Sequence, residues 1–282
     1  MTGQLSLVFD DGYAADYDLV KPVLDRYDAP ATLAIVPDWL GGDGNLSADQ
    51  LDELVGAGWE VAAHGVGHRY LQARRLTVDA AVGDTAVTVS GHVSPGEGHA
   101  VLDGDGFVLT DGNRAEEHVV AETVEGEEGP QLVFEDEIRG EFVADEAIVR
   151  PDELTLGEEI IDSKDELEGM GYAVESFVFP YDAASPRAWE LASETYDAIP
   201  NAGVRSLPSP KGTEKTNLRR YYLQTSHLTD PEIDDYLDSV ADGRTGILAG
   251  HSSWDSVTEE RLEYVLEGAE ERDIDVRTVA EL

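Results

Sequence analysis

Two adjacent carboxylates and three imidazoles stand at the ends of separate apolar runs in this chain. Asp10 and Asp11 close the run Leu5-Ser6-Leu7-Val8-Phe9 and are followed by Gly12. His64 and His68, four residues apart, follow Val61-Ala62-Ala63, and His251 follows Gly246-Ile247-Leu248-Ala249-Gly250. One carboxylate with two imidazoles supplies three protein ligands and leaves a coordination position open, as in a catalytic rather than a structural zinc site. The second carboxylate and the third imidazole then suit a base and an acid for water attack on a carbonyl. Each piece has a plainer reading by itself. Asp-Asp-Gly after a strand is a common solvated turn, and His251 can be an ordinary strand-end histidine. Glycines at 65 and 67 make a plain helix surface a poor account of the His64–His68 pair. Of the other histidines, His92, His99 and His118 fall in a polar, Gly-rich central stretch and read as surface residues. His227 has no placement from sequence.

These groups can meet only if their strands run parallel and share an end, because the loops at the C-terminal ends of parallel barrel strands converge on one mouth. The surrounding pattern supplies such strands. Tyr17, Val20, Val23, Leu24 and Tyr27 recur at helical spacing over 16–27, and Ala31–Val36 reads as the next strand. Ser47 is placed to cap a helix over 48–56. Later, 156–170, 186–195 and 258–272 read as helices, and 177–179 and 276–279 as strands. Such alternation predicts an α/β fold with a parallel sheet. Within 76–149 the pattern changes to short β runs at Thr85–Val89, Gly106–Leu109, His118–Ala121, Gln131–Phe134 and Glu146–Val149, split by Gly, Asp and Glu turns. That spacing predicts a small all-β domain, an antiparallel barrel or sandwich, inserted between the α/β portions 1–75 and 150–282.

The motifs resemble those of the NodB-type polysaccharide deacetylases, carbohydrate esterase family 4. Val8-Phe9-Asp10-Asp11-Gly12 is similar to the family's Thr-Phe-Asp-Asp-Gly, and His64-Gly65-Val66-Gly67-His68 to its His-Ser/Thr-x-x-His. Phe177-Val178-Phe179-Pro180-Tyr181 resembles the Arg-x-Pro-Tyr motif, and the stretch ending at His251 resembles Leu-x-His. The resemblance covers roughly residues 4–75 and 150–282. It implies an irregular (β/α) barrel of seven or eight strands and a metal-dependent hydrolase that removes acetyl groups from an N- or O-acetylated cell-surface polysaccharide. It further implies Asp11, His64 and His68 as ligands of one divalent metal, zinc by preference, and Asp10 as general base. His251 becomes the acid that protonates the leaving amine. The Tyr181 backbone N–H becomes an oxyanion donor, and Phe179, Pro180 and Leu248 become substrate-binding residues.

The chain departs from the family pattern at three places. Gly65 stands where a Ser or Thr usually braces the histidine loop, and Val178 stands where the third motif carries Arg. Leu248-Ala249-Gly250-His251 is one residue longer than Leu-x-His. In a branch of the family that lacks the motif Arg, a later Arg takes over the tuning of the base, and Arg219 or Arg220 is placed for that task. The alternative function is a virion- or tail-associated glycan-binding protein on the same fold, with catalysis weak or lost. A third reading keeps metal-assisted hydrolysis but moves it to cyclic or small amides.

Composition bears on setting and partners. Sixty acidic residues against 19 basic give a formal charge of −41, and four of the 19 are lysine. A surface so charged repels itself in dilute buffer, whereas at 1 M salt the screening length falls to about 3 Å. The acids are spread along the chain, which predicts a protein adapted to high salt, from a halophile or its virus, rather than one with a disordered acidic tail. Nucleic acid is disfavoured as a partner by the same charge. No cysteine occurs, so thiolate ligands and disulfides are excluded. No apolar run is long enough to span a bilayer. The first motif lies within ten residues of Met1, which predicts no signal peptide and hence a cytoplasmic or virion-associated location. The insert resembles small β modules of virus tail proteins, which implies contacts with virion subunits or a homo-oligomer through 76–149.

Overall fold

The computed structural model describes residues 3–93 and 99–282; residues 94–98 of the expected insert lie outside the described residues. The strands are β1 (Gln4–Asp10), β2 (Thr32–Ile35), β3 (Glu60–Ala63), β4 (Arg74–Arg75), β5 (Ala86–Thr88), β6 (Gly106–Thr110), β7 (Ala115–Gly126), β8 (Gly129–Phe134), β9 (Ile148–Pro151), β10 (Gly203–Val204), β11 (Arg219–Tyr222), β12 (Thr245–Gly250) and β13 (Asp275–Val276). Two compact units share them. One comprises Met1–His64, Ser163–Val178 and Ala192–Leu282; the other comprises Gly65–Asp162 and Phe179–Leu191.

The first unit is α/β. Its seven strands pair in the order β10-β11-β12-β1-β2-β3, with β13 also on β1, and every ladder is parallel. The run Leu5–Phe9 is buried throughout, as expected of a strand covered on both faces. Register decides what leaves the sheet together. Phe9 pairs with Gly250 and Asp10 with Ala34, while Ile35 pairs with Ala63. The next residues out are therefore Asp11, His251 and His64, all from C-terminal strand ends. The expected barrel does not close, and the strands form an open parallel ladder. Beyond β3 it continues through single bridges, Ala63 to Phe177 and Ser176 to Ala198, because Pro180 ends the 177–179 segment after one paired residue and cannot donate to a ladder. Its core is built largely of small residues, Val8, Ala34, Ala62, Val178, Ala198 and Ala249 among them. Val178, at the motif position of Arg, thus lies in the core.

Helices follow the expected places with altered bounds. The 16–27 segment is helical throughout, but opens as a π turn over Asp16–Val20 and closes as a 3₁₀ turn over Asp25–Tyr27. Ser47 and Gln50 form a reciprocal capping box on Ala48–Gly56. The helix expected from 156 begins earlier, at Glu153, because the Asp152 side chain accepts from the Thr155 N–H at 2.8 Å. The last strand is shorter than the expected 276–279 and ends at Val276. No described helix is long and apolar enough to cross a membrane.

The second unit carries a six-stranded sheet in the order β4-β9-β6-β7-β8-β5, antiparallel throughout. The five expected β runs correspond to β5–β9. Phe107, Leu109, Val120, Leu132, Phe134, Phe142 and Val149 lie in its core. His118 corrects the surface reading: it is 3% exposed. Strand alternation explains this, because Glu116, His118 and Val120 share the inward face of β7. The imidazole stacks on Phe134 with ring centres 4.5 Å apart. Burial lowers the His118 pKa, with Glu116 acting in the opposite direction. A histidine held below its unfolded value leaves the unfolded chain binding more protons in that window, so stability is full above about pH 6.5 and falls as pH drops below it. Thermal stability of the wild type should fall as pH is lowered from about 7.5 to about 5.5, around the ordinary histidine value. His118→Phe should flatten that dependence. An unchanged slope in the variant would remove His118 as its source.

Candidate active site

Asp10, Asp11, His64 and His251 come together in the first unit. Asp10 and Asp11 are 2% and 6% exposed, and His64 is buried as well. His64 Nε2 lies 3.4 Å from Asp11 Oδ1, and His251 Nε2 lies 3.6 Å from Asp11 Oδ2. Asp11 has φ +80°, a left-handed backbone that a non-glycine residue adopts at a cost of order 1–3 kcal/mol. That turn lets two consecutive carboxylates leave the end of β1 in different directions. On the far side of the pair, buried Arg220 donates from Nη1 to Asp10 Oδ1 at 3.1 Å and pairs through Nη2 with Oδ2 at 2.9 Å. Burial pushes the Asp10 carboxyl up, yet Arg220, with His64 and His251, holds it below the usual carboxylate value. Of the two candidate arginines, Arg220 is buried and Arg219 is exposed; the inward position of β11 makes the contact.

His68 and Tyr181 come together in the second unit, with ring centres 4.7 Å apart. Both backbones are left-handed, at φ +63° and +57°. The Tyr181 hydroxyl lies 2.5 Å from His99 Nδ1, and the His92 ring stacks on the Tyr181 ring at 4.9 Å. His99, read from sequence as a surface residue, is half-buried by this contact. Phe179 is fully buried against Trp189, Pro180 is buried beside it, and Leu248 of the first unit is fully buried within β12.

Residues 2–85 match the polysaccharide deacetylase family. YxkH of Bacillus subtilis (strain 168), which carries a polysaccharide deacetylase description, is 31% identical over 62 residues, 22% of this chain and 22% of that protein. The match thus spans about a fifth of that relative's length. Among solved structures, the Xyl-CE4 domain of a multidomain xylanase from the hindgut metagenome of Trinervitermes trinervoides is similar at 14% identity. It covers 100% of this chain and 89% of that one, with a TM-score of 0.49. The peptidoglycan deacetylase PdaC from Bacillus subtilis is similar at 13% identity over 99% of this chain and 89% of that one, with a TM-score of 0.47.

The donor set can be tested against a divalent cation on His64. Its Nδ1 lies 2.7 Å from the Val178 carbonyl oxygen; a carbonyl only accepts, so Nδ1 carries the proton. In the neutral ring the lone pair is then on Nε2, the nitrogen that faces Asp11. This is the tautomer and second hydrogen bond that metal-ligating imidazoles show. Asp11, His64 and His68 are all buried and offer one carboxylate and two imidazoles, a set that suits zinc and similar ions. The residues present fit the ion.

Several members of the site carried no recognisable signal in sequence. Burial and the Asp11 carboxylate, to which Tyr13 hydrogen-bonds, push the Tyr13 phenol up to about 12. Asp16 is fully buried, and burial, with the charges of Asp11 and Asp10, raises its carboxyl well above the ordinary range. Gln224 Nε2 lies 3.3 Å from His251 Nδ1, and Trp254 stacks on the His251 ring at 4.2 Å. These groups sit far from the motifs or beside them without a motif spacing of their own. Only the fold assigns them.

Proposed function

We propose that this chain is a metal-dependent hydrolase that removes acetyl groups from an N- or O-acetylated polysaccharide, with Asp11, His64 and His68 holding one divalent ion, zinc first. The observation that carries this reading is the buried Asp10–Arg220 pair beside Asp11, His64 and His251. A carboxylate kept ionised in a buried site is suited to take a proton, and a separate imidazole beside it is suited to give one. His68 lies four residues beyond His64, so the chain keeps it within about 14 Å by the extended-chain limit. A bound divalent ion supplies Lewis acidity, polarising a carbonyl and acidifying water.

The chain's own residues divide the remaining work. Asp10 accepts the proton of the attacking water, and Arg220 orients both of its oxygens. His251 donates a proton to the departing amine or alcohol, because an amine cannot leave as its anion. The Tyr181 N–H, fixed by a left-handed backbone, supplies a donor to the oxyanion. Phe179, Pro180 and Leu248 are assigned to substrate binding. The family match over 2–85 supports the substrate class. Residues 76–149 are read as an inserted all-β domain.

The test is zinc content and acetate release from N- and O-acetylated oligosaccharides, measured in multi-molar KCl to screen the charge of −41. The expected result is one ion per chain and acetate from at least one substrate. A folded protein that takes up no zinc and releases no acetate from either substrate would overturn the reading.

A further inference from the structure

The glycine that replaces the bracing Ser/Thr of the histidine motif has a counterpart elsewhere in the chain. Gly65 has φ +78°, and a Cβ built on it would lie 2.1 Å from Glu159 Oε2 and 3.2 Å from Glu159 Cδ. No side chain fits at position 65 while Glu159 stays where it is. Glu159 is 0% exposed. Its carboxylate accepts from the Gly67 N–H at 2.8 Å and from the Arg69 N–H at 3.0 Å, so two backbone donors of the histidine loop end on one side chain. Arg69 Nη1 donates to the same carboxylate, and its Nε donates to Asp105 Oδ1 at 2.7 Å. A buried carboxylate with this many donors is a satisfied group, and removing it would orphan two backbone N–H groups and part of a guanidinium.

Glu159 comes from a segment that the sequence reads only as part of a helix over 156–170. A π turn over Glu158–Asp162 interrupts that segment between Glu153–Gly157 and Ser163–Gly169. Such turns recur at functional sites.

We propose that Glu159 is the positioning residue of the His64–His68 loop, its carboxylate filling the space and taking the hydrogen bonds that a side chain at position 65 would otherwise provide. The inference rests on the metal-site reading for its consequence, though not for its geometry. Hydrogen-bond partners that orient metal ligands are worth 10–100-fold in metal affinity, and Glu159 acts one step further out, through the loop, accepting from the Gly67 and Arg69 N–H groups and the Arg69 guanidinium.

The test uses full-length protein in high salt, with zinc alone as the probe and chelator competition as the readout. Glu159→Gln, Glu159→Ala and Gly65→Ala should each weaken zinc binding by about 10-fold or more. Because an added Cβ at 65 and the Glu159 carboxylate compete for one space, Gly65→Ala should cost less in the Glu159→Ala background than in the wild type. Zinc affinity within threefold of wild type in folded Glu159→Gln and Glu159→Ala would overturn the proposal, as would strict additivity of the two alanine changes. Hydrogen exchange at the Gly67 and Arg69 amides gives a readout without metal. It should be slow in the wild type and at least tenfold faster in Glu159→Gln, and unchanged exchange would overturn the proposal. If the wild type takes up no zinc, the metal reading fails and the exchange result alone decides the role of Glu159.

Discussion

Asp10→Asn should lower the rate of acetate release by about 10²–10³-fold, within the usual contribution of a general base, while zinc stays bound. The substitution keeps the shape of the side chain but removes its negative charge and its capacity to accept a proton. Asp10 is not among the three proposed ligands, and its two oxygens are already engaged by Arg220 at 3.1 and 2.9 Å. The loss should therefore fall on kcat, with KM little changed, because a base acts in the transition state rather than on bound substrate. The wild-type rate should show a bell-shaped pH dependence. Its acidic limb reports Asp10, and Arg220 holds that carboxyl below its ordinary value, so the base should stay competent into mildly acidic solution. Turnover in Asp10→Asn within threefold of wild type would remove Asp10 as the base. Loss of zinc along with turnover would instead make Asp10 part of the ion site.

The contrast between Asp10 and Arg220 shows what a sequence can and cannot carry. A short buried run ending in Asp-Asp-Gly announces itself, because apolar continuity marks the strand and the carboxylates mark its end. His64 and His251 are legible for the same reason: each follows a strand directly, and parallel pairing aligns strand ends. Arg220 was narrowed only to a choice of two. Period-two alternation says that one of Arg219 and Arg220 points inward, but not which, since parity depends on the register of β11 against β12. Glu159 was invisible, because one more glutamate in an acidic amphipathic helix looks like solvated surface. His118 misled for the converse reason. Gly-rich polar surroundings suggested exposure, whereas its place in the alternation of a 12-residue strand put it inside. The barrel, too, was only partly legible: its strands follow from alternation, but the ladder beyond β3 runs through single bridges that leave no pattern and does not close.

Arg220→Leu should be the most destabilising single change at the site, by about 3–5 kcal/mol near neutral pH, the range for breaking a buried ion pair from one side. Both partners are nearly inaccessible, with side chains 2% and 3% exposed, so water cannot replace the guanidinium. What remains is a buried carboxylate whose largest influence is burial, which pushes its pKa up. The sign of the pH dependence then reverses. In the wild type the Asp10 pKa is depressed; its contribution to stability is present above the unfolded value and lost as pH falls through the folded one. In Arg220→Leu the folded value rises toward or above the unfolded value, so acid protonates the stranded carboxylate and relieves the penalty. The stability gap between variant and wild type should therefore be widest near pH 7 and narrow as the solution is acidified. The acidic limb of the rate profile should shift upward in the same variant. Adding Asp10→Asn to Arg220→Leu removes the stranded charge, and the double variant should be more stable at neutral pH than Arg220→Leu alone. Denaturant unfolding at several pH values in constant high salt measures all of this. A gap that is constant with pH, or a double variant no more stable than the single, would mean that Arg220 serves packing and not the charge of Asp10.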